Sequence, residues 1–112
     1  MNPAQARPEI TPSELKNRLD AGEELLILDV REPGEVAISS IGELHIPLGQ
    51  LPARIHELEA YREEPIVVVC RSGARSGRAV QYLQALAFQN PLNLKGGMMA
   101  WRDEVDPSLP VG

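Results

Sequence analysis

The stretch Ile66-Val67-Val68-Val69-Cys70-Arg71-Ser72-Gly73-Ala74-Arg75-Ser76 decides the fold. Its apolar start is unbroken and rich in β-branched side chains, which is typical of a strand buried on both faces of a parallel sheet. Small and polar residues follow and include a glycine, which favours a tight loop. Apolar residues then recur at helical spacing, at Ala79, Val80, Leu83, Leu86 and Ala87. The stretch therefore predicts a strand, a tight loop and a helix, in that order.

Further strand candidates lie on either side of this stretch. The segment Leu25–Val30 is a second largely apolar run, and it also has the character of a buried central strand. Leu44–Ile46 and Leu92–Leu94 are shorter candidates. The sequence thus supplies up to four strands for one sheet.

Helical segments alternate with these strands. Thr11 and Glu14 have the spacing of a capping box, so a first helix begins there and is expected to end near residues 21–22. A second helix is predicted from about Pro52 to Tyr61, and a short last one begins near Gly97. This alternation predicts an α/β fold with a central, mostly parallel sheet and helices on both faces.

Length and charge limit the kinds of protein that this chain can be. Its 112 residues suit one compact domain, which we expect at residues 9–107, between an N-terminal tail (1–8) and a C-terminal tail (108–112). The net charge of −5 argues against nucleic acid or an anionic membrane as partner, because either would need a basic face. No apolar run reaches the length of a bilayer.

The chain has a single cysteine, Cys70. One cysteine cannot form a disulfide within the chain, nor a thiolate-rich zinc site. Small secreted domains usually need disulfide bridges, so we expect this protein in the reducing cytoplasm.

Cys70 stands where open parallel sheets usually place their chemistry, just beyond the carboxyl end of a strand. The following loop can turn successive backbone N–H groups inward to bind an anion, beside a helix N-terminus. That helix end and the two arginines, Arg71 and Arg75, favour a thiolate of lowered pKa at the mouth of a cleft. Free cysteines are often only small buried apolar residues. Such a residue needs no electropositive loop, so the sequence favours a catalytic nucleophile.

Three stretches of the chain, in order, resemble the signatures of rhodanese-like domains. They are Leu28–Pro33, Cys70–Ser76 and Asn93–Trp101, and the resemblance covers about residues 9 to 107. Three further segments are similar to the sulfurtransferase domain that is fused behind ubiquitin-activating-enzyme-like adenylyltransferases: Pro33–Ile38, Ile46–Gly49 and Asp103–Pro107.

The resemblance implies a sulfurtransferase that uses no metal and no organic cofactor. The Cys70 thiolate would take a sulfane sulfur from a small anionic donor such as thiosulfate, and the persulfide would pass it to a thiophilic acceptor. The residues implied to bind substrate form the loop after the cysteine: Arg71, Ser72, Gly73, Ala74 and Arg75. The acceptor would be a small sulfur-carrier protein or another thiol.

Two other functions stay open on the sequence. Cysteine-dependent phosphatases and arsenate reductases use a similar thiolate, but their loops typically place five residues between the cysteine and the arginine. Here four residues separate Cys70 from Arg75, and Val69 stands where those phosphatases have a histidine. The third candidate is a rhodanese-like domain that binds a partner without catalysis.

Asp29 and Arg31 are candidate supporting residues, since they follow the other central strand. Asp29 is expected either to orient the loop arginines or to cap a neighbouring turn, because a charge at the end of an apolar strand needs partners. Arg31 is expected either to line the cleft or to pair with Glu32 or Glu35 on the surface. For both residues the structural alternative is favoured.

Overall fold

The run around Val67 and Val68 forms the middle of a five-stranded sheet in the computed structural model, which describes residues 8–112. The strands are β1 (Glu9–Ile10), β2 (Leu26–Asp29), β3 (Leu44–His45), β4 (Pro65–Val69) and β5 (Asn90–Leu94). Their order in the sheet is β1-β5-β4-β2-β3, and every pair is parallel. The predicted parallel α/β sheet is confirmed, with one strand, β1, that the sequence did not predict.

Helices connect the strands in the predicted alternation. They are α1 (Pro12–Asp20), α2 (Pro33–Val36), α3 (Leu51–Arg54), α4 (Ala74–Ala85) and α5 (Gly97–Glu104), with 3₁₀ segments at Leu48–Gln50 and Ile55–Tyr61. The capping box at the start of α1 is present: the Thr11 hydroxyl accepts the Glu14 N–H at 3.1 Å, and the Glu14 carboxylate accepts the Thr11 N–H at 2.9 Å. The predicted helix at 52–61 divides into α3 and a 3₁₀ segment, and Leu51 and Leu58 are both buried.

The two faces of the sheet carry separate apolar clusters, which explains why β2 and β4 read as continuous apolar runs. Side chains of β4 alternate: Ile66 and Val68 pack on one face with α3 and α4, whereas Val67 and Val69 pack on the other with α1 and α5. Cys70 continues this alternation and belongs to the α4 face. The predicted coverage of both faces is therefore confirmed.

The parallel arrangement brings the ends of β2 and β4 together. Asp29 is in register with Val69, so the residues that follow these two strands emerge at the same edge of the sheet. Helix α4 returns from that edge across the face that holds Val68. This edge therefore holds both Cys70 and Arg31.

The ends of the chain bear on the predicted domain limits. Residues 1–7 of the predicted N-terminal tail lie outside the described residues. In the predicted C-terminal tail, Leu109 and Val111 pack against the cluster beneath α1 and α5, and the Ser39 hydroxyl donates to the Pro110 carbonyl. Within residues 8–112 no helix is both long enough and apolar enough to cross a membrane.

Candidate active site

Cys70 follows β4 directly and opens the loop that leads into α4. Its Sγ accepts the backbone N–H of Gly73 at 3.0 Å, and the Ser76 hydroxyl lies 3.2 Å from the same sulfur. Gly73 has a φ of 105°, in the left-handed region that favours glycine, and this turn directs its N–H back to the sulfur. The predicted inward-facing loop therefore forms around the thiol.

The surroundings of the thiol favour its ionised form. Burial raises the pKa of Cys70, but the Ser76 hydroxyl and the backbone N–H groups of Ser76, Gly73 and Ser72 outweigh burial and lower it below its usual range. The predicted lowering agrees with this direction. The predicted contribution of the helix end is present, because Gly73 is the N-cap of α4 and Ser76 lies in its first turn, whereas the arginines are not among the causes of the lowered pKa. The sequence motif contains Ser76, but the sequence alone does not indicate that its hydroxyl contacts the sulfur of Cys70.

The expectation of a thiolate at the mouth of a cleft is wrong in one respect. Cys70 is only 1% exposed, because the loop folds over its sulfur to bring the N–H groups into contact. The outer parts of this cover are exposed at Arg71, Ser72 and Ala74, and Gly73 is half-buried. The thiol is therefore enclosed by its surroundings rather than open to solvent.

Removing the Ser76 hydroxyl tests this account of the thiolate. In Ser76→Ala the pKa of Cys70 should rise, because a donor to the charged sulfur is lost, and thiol reactivity at neutral pH should fall by about 10-fold. The rising limb of the rate against pH should move to higher pH. Alkylation rates and thiolate absorbance across a pH series measure both. Ser72→Ala keeps its backbone N–H and is the matched control; equal pH profiles for the two variants would contradict the assignment.

Asn93, in β5, holds the loop from the neighbouring strand. Its Nδ2 donates to the Gly73 carbonyl at 3.1 Å, and its Oδ1 accepts the Ser76 hydroxyl at 2.6 Å. A hydroxyl has one proton, so Ser76 can serve either Asn93 or the sulfur of Cys70 at any moment. Ionisation of the thiol should therefore turn the Ser76 proton from Asn93 to the sulfur.

The start of α5 supports the loop from its other side. The N–H groups of Met98 and Met99 donate to the carbonyls of Cys70 and Arg71, at 2.9 and 3.0 Å. Gly97 allows this close approach: its φ is 60°, and a Cβ there would lie 2.5 Å from the Cys70 carbonyl oxygen and 2.6 Å from the Arg71 carbonyl. Gly97, in the third signature, thus positions the reactive loop.

Gly97→Ala should displace that loop. The left-handed backbone costs a residue with a Cβ roughly 1–2 kcal/mol, and the new methyl group must push the Cys70 and Arg71 carbonyls away. A shift of about 1 Å at a reacting group can cost about 100-fold in rate, which is the expected loss in kcat/KM for the sulfur transfer that the resemblance implies. Gly49→Ala, at a glycine with open space around it, is the control. Wild-type kcat/KM in a folded Gly97→Ala protein would contradict the positioning role.

Arg75 is engaged by a carboxylate rather than free for substrate. Its Nη1 and Nη2 donate to Oε1 and Oε2 of Glu35, in α2, at 2.6 and 2.7 Å. Arg75 is the main cause that lowers the pKa of Glu35 to about 2, and the Glu32 N–H adds to it. Within residues 8–112 the exposed Arg71 has no ion-pair partner. The role of both arginines toward a donor stays a prediction.

Asp29 and Arg31 form a buried pair, and each is 0% exposed. Asp29 Oδ2 accepts Arg31 Nη2 at 2.8 Å and the Ser40 hydroxyl at 2.8 Å, while Arg31 Nη2 also donates to the Ser39 carbonyl at 2.6 Å. Asp29 therefore orients Arg31 and not the loop arginines. The predictions that Arg31 lines the cleft or pairs on the surface are wrong, because its guanidinium is enclosed.

No metal centre is found in the described part of the chain. Residues 8–112 contain no group of three or more His, Cys, Asp or Glu side chains placed to hold a metal ion. The chemistry described above depends on the loop between β4 and α4.

Comparison with known proteins agrees with this architecture. A model of the rhodanese-like domain matches residues 11–104. A sulfurtransferase of Allochromatium vinosum is 39% identical over 94 residues, which cover 83% of this chain and 86% of that protein. The maize protein MOCS3-2, an adenylyltransferase and sulfurtransferase, is 43% identical over 115 residues, which cover 97% of this chain and 23% of that protein.

A solved structure extends the match to three dimensions. The crystal structure of a rhodanese-like domain protein from Staphylococcus aureus superposes with a TM-score of 0.78 at 33% identity, over 94% of this chain and 98% of that one. The predicted rhodanese-like fold is thereby confirmed. With its family model, its similar sequences and its fold in agreement, this chain belongs to the rhodanese-like domain family, whose similar members include proteins named sulfurtransferases.

Proposed function

We propose that this protein transfers a sulfane sulfur through a persulfide on Cys70. The thiolate attacks the outer sulfur of a small anionic donor such as thiosulfate, a new S–S bond forms, and the S–S bond of the donor breaks. Sulfite leaves with the bonding electron pair, and the persulfide keeps one negative charge on its outer sulfur. A thiophilic acceptor then takes that sulfur and restores the thiolate.

The observation that carries this proposal is the set of donors around the sulfur of Cys70. The Gly73 N–H and the Ser76 hydroxyl both lie within hydrogen-bond distance of Sγ, and the pKa of the thiol is lowered despite its burial. Preorganised donors of this kind stabilise a negative charge that forms at a fixed position. They suit a reaction that begins with a thiolate and ends with an anionic persulfide.

Two observations favour sulfur over phosphate as the transferred group. The loop places four residues between Cys70 and Arg75, so it offers fewer amides around the sulfur than a loop built for a tetrahedral oxyanion. Arg75 is also held by Glu35 in a two-bond ion pair, which uses the donors that a phosphate would need.

The acceptor in this proposal is a thiol, either small or on a sulfur-carrier protein. The similarity to the maize adenylyltransferase and sulfurtransferase supports a protein acceptor, although this chain corresponds to only 23% of that protein. Arg71 and Ser72, the two residues that follow Cys70, are exposed and so are available to contact an acceptor. A reducing cytoplasm would keep both thiols available.

Intact mass after treatment with thiosulfate tests the proposal. The protein should gain the mass of one sulfur atom, and added cyanide should remove that mass and yield thiocyanate. Protein alkylated at its only thiol is the control and should gain nothing. Hydrolysis of an aryl phosphate without any gain of sulfur would contradict the proposal and favour a phosphatase. If the protein shows neither sulfur loading nor phosphate hydrolysis, the proposal is contradicted and a binding module is favoured.

A further inference from the structure

We propose that Glu35 sets donor specificity: it occupies the guanidinium of Arg75 as an internal anion, and so disfavours oxyanion donors relative to persulfides. This inference rests on the proposed sulfur transfer at Cys70. It names the class of donor that the same site accepts best, namely an alkyl persulfide.

The geometry shows how firmly Glu35 holds Arg75. The two groups share two parallel hydrogen bonds, and their side chains are only 23% and 33% exposed. Glu35 Oε1 also accepts the N–H of Glu32 at 3.0 Å, in the capping box that begins α2. The carboxylate is therefore fixed from two directions and does not depend on Arg75 alone for its position.

Arg75 lies close enough to the sulfur of Cys70 to influence the binding of a charged donor there. It stands in the first turn of α4, five residues after Cys70. Glu35 is the main cause that raises the pKa of Arg75, and the charge of Cys70 also contributes, so the two groups are within electrostatic reach. A substrate anion at the sulfur would be a neighbour of this ion pair.

An oxyanion donor meets two obstacles at such a site. To use Arg75 it must displace a carboxylate that makes two charge-assisted bonds, each stronger than a neutral hydrogen bond. If it binds without Arg75, the Arg75–Glu35 pair is neutral overall and offers no counter-charge to the two negative charges of the donor. The exposed Arg71 offers a counter-charge that solvent and salt largely screen.

An alkyl persulfide avoids both obstacles. The sulfur that it delivers carries at most one negative charge, and the N–H and hydroxyl donors around Cys70 can stabilise that charge. The Cys70 thiolate attacks the outer sulfur, the donor's S–S bond breaks, and the alkyl thiolate leaves with the electron pair. No contact with Arg75 is required in this transfer.

Glu35→Gln tests the inference with little other change. Glutamine at the third helical position still suits a capping box, so it can keep the bond to the Glu32 N–H while it loses the charge. The kcat/KM for thiosulfate should rise by about 10-fold, as one charge-assisted contact to Arg75 becomes available. The kcat/KM for 2-hydroxyethyl persulfide should stay within about 2-fold. Glu24→Gln is the control: it removes one negative charge at a position that does not contact Arg75, and kcat/KM should stay unchanged for both donors.

The results that would overturn the inference are distinct from failure of the proposed function. An unchanged or lowered kcat/KM for thiosulfate in folded Glu35→Gln would overturn it, even if Cys70 gains sulfur normally. If the wild-type protein gains sulfur from neither donor, the proposed function fails and this inference with it. Should Glu35→Gln not fold, the wild-type protein still gives an answer: sulfate at constant ionic strength should not slow loading from the persulfide, and inhibition by sulfate would overturn the inference.

Discussion

Cys70→Ser should lose sulfur transfer completely and keep the fold. The chain has no other cysteine, so no other residue can form a persulfide and no partial activity is expected. A serine hydroxyl stays protonated at neutral pH and is a far weaker nucleophile than a thiolate held by the Gly73 N–H. Thiocyanate formation from thiosulfate and cyanide should fall to the uncatalysed rate, and intact mass should show no added sulfur.

The same variant should remain folded because serine is small and polar enough for the loop. Its Oγ can accept the Gly73 N–H in place of Sγ, so the loop keeps a partner for that donor. Circular dichroism and urea unfolding measure this. A sharper control places the thiol two residues later. The variant that combines Cys70→Ser with Ser72→Cys has an exposed thiol away from the Gly73 N–H and the Ser76 hydroxyl, and it should not recover activity. Residual turnover in Cys70→Ser alone would refute Cys70 as the carrier.

The fold could be predicted from the sequence wherever the signal is local. The apolar run at Ile66–Val69, the glycine of the loop and the helical spacing after it are all contained in β4 and α4 themselves. The capping box of α1 likewise joins residues three apart, Thr11 and Glu14. Elements whose residues satisfy their own local requirements are the ones that the sequence predicts well.

The elements that were missed are short and depend on partners elsewhere. Strand β1 has two residues and exists because Ile10 pairs with Leu94 of β5, about eighty residues later in the chain. Helix α2 has four residues, but it did leave a signal: Pro33 stands at its start, and Glu32 and Glu35 have the spacing of a capping box. A four-residue turn is too short for apolar periodicity to indicate it, so these residues are its only local signal.

The site also contains local features that the sequence predicts and long-range contacts that it does not. Cys70 and its loop are consecutive and were predicted, whereas Ser76 meets Asn93 across 17 positions and Arg75 meets Glu35 across 40. No local pattern links such residues, so only the folded arrangement of the strands and helices brings them together. For this reason, the pairing of Arg75 with Glu35 could not be predicted from the sequence.

The Asp29–Arg31 pair is a partial exception. The favoured prediction that Asp29 caps a neighbouring turn agrees with its acceptance of the Arg31 N–H, but the ion pair between the two side chains, two positions apart, was not predicted. Alternate residues of an extended chain lie on the same side, so the spacing itself indicated a contact. The hydrogen bond from the Arg31 N–H to Asp29 Oδ1, at 3.0 Å, shows how close the two residues are. The misleading feature was charge: an arginine was expected at the surface, whereas here it is enclosed with its counter-ion.

Asp29→Ala should produce the largest loss of stability of any variant considered. Removing the carboxylate leaves the guanidinium of Arg31 buried. Within residues 8–112 it then has one remaining acceptor, the Ser39 carbonyl, and one nitrogen, Nη1, that already lacks a partner. Breaking one side of a buried ion pair costs about 3–5 kcal/mol. That is a large part of the roughly 5–15 kcal/mol that stabilises a typical domain. Urea unfolding should therefore show a much lower midpoint, whereas Asp20→Ala, at an exposed ion pair, should change it little.

A double-mutant cycle shows whether the loss comes from the stranded charge. Arg31→Met removes that charge and keeps a long apolar side chain, so Asp29→Ala with Arg31→Met should lose much less stability than the two single variants add up to. Activity separates a structural role from a catalytic one. Asp29 contacts Arg31 and Ser40 rather than the Cys70 loop, so the folded fraction of Asp29→Ala should still take up sulfur from thiosulfate. Additive losses in the cycle would refute the charge explanation, and a folded Asp29→Ala protein without sulfur loading would show that Asp29 acts on the reactive loop.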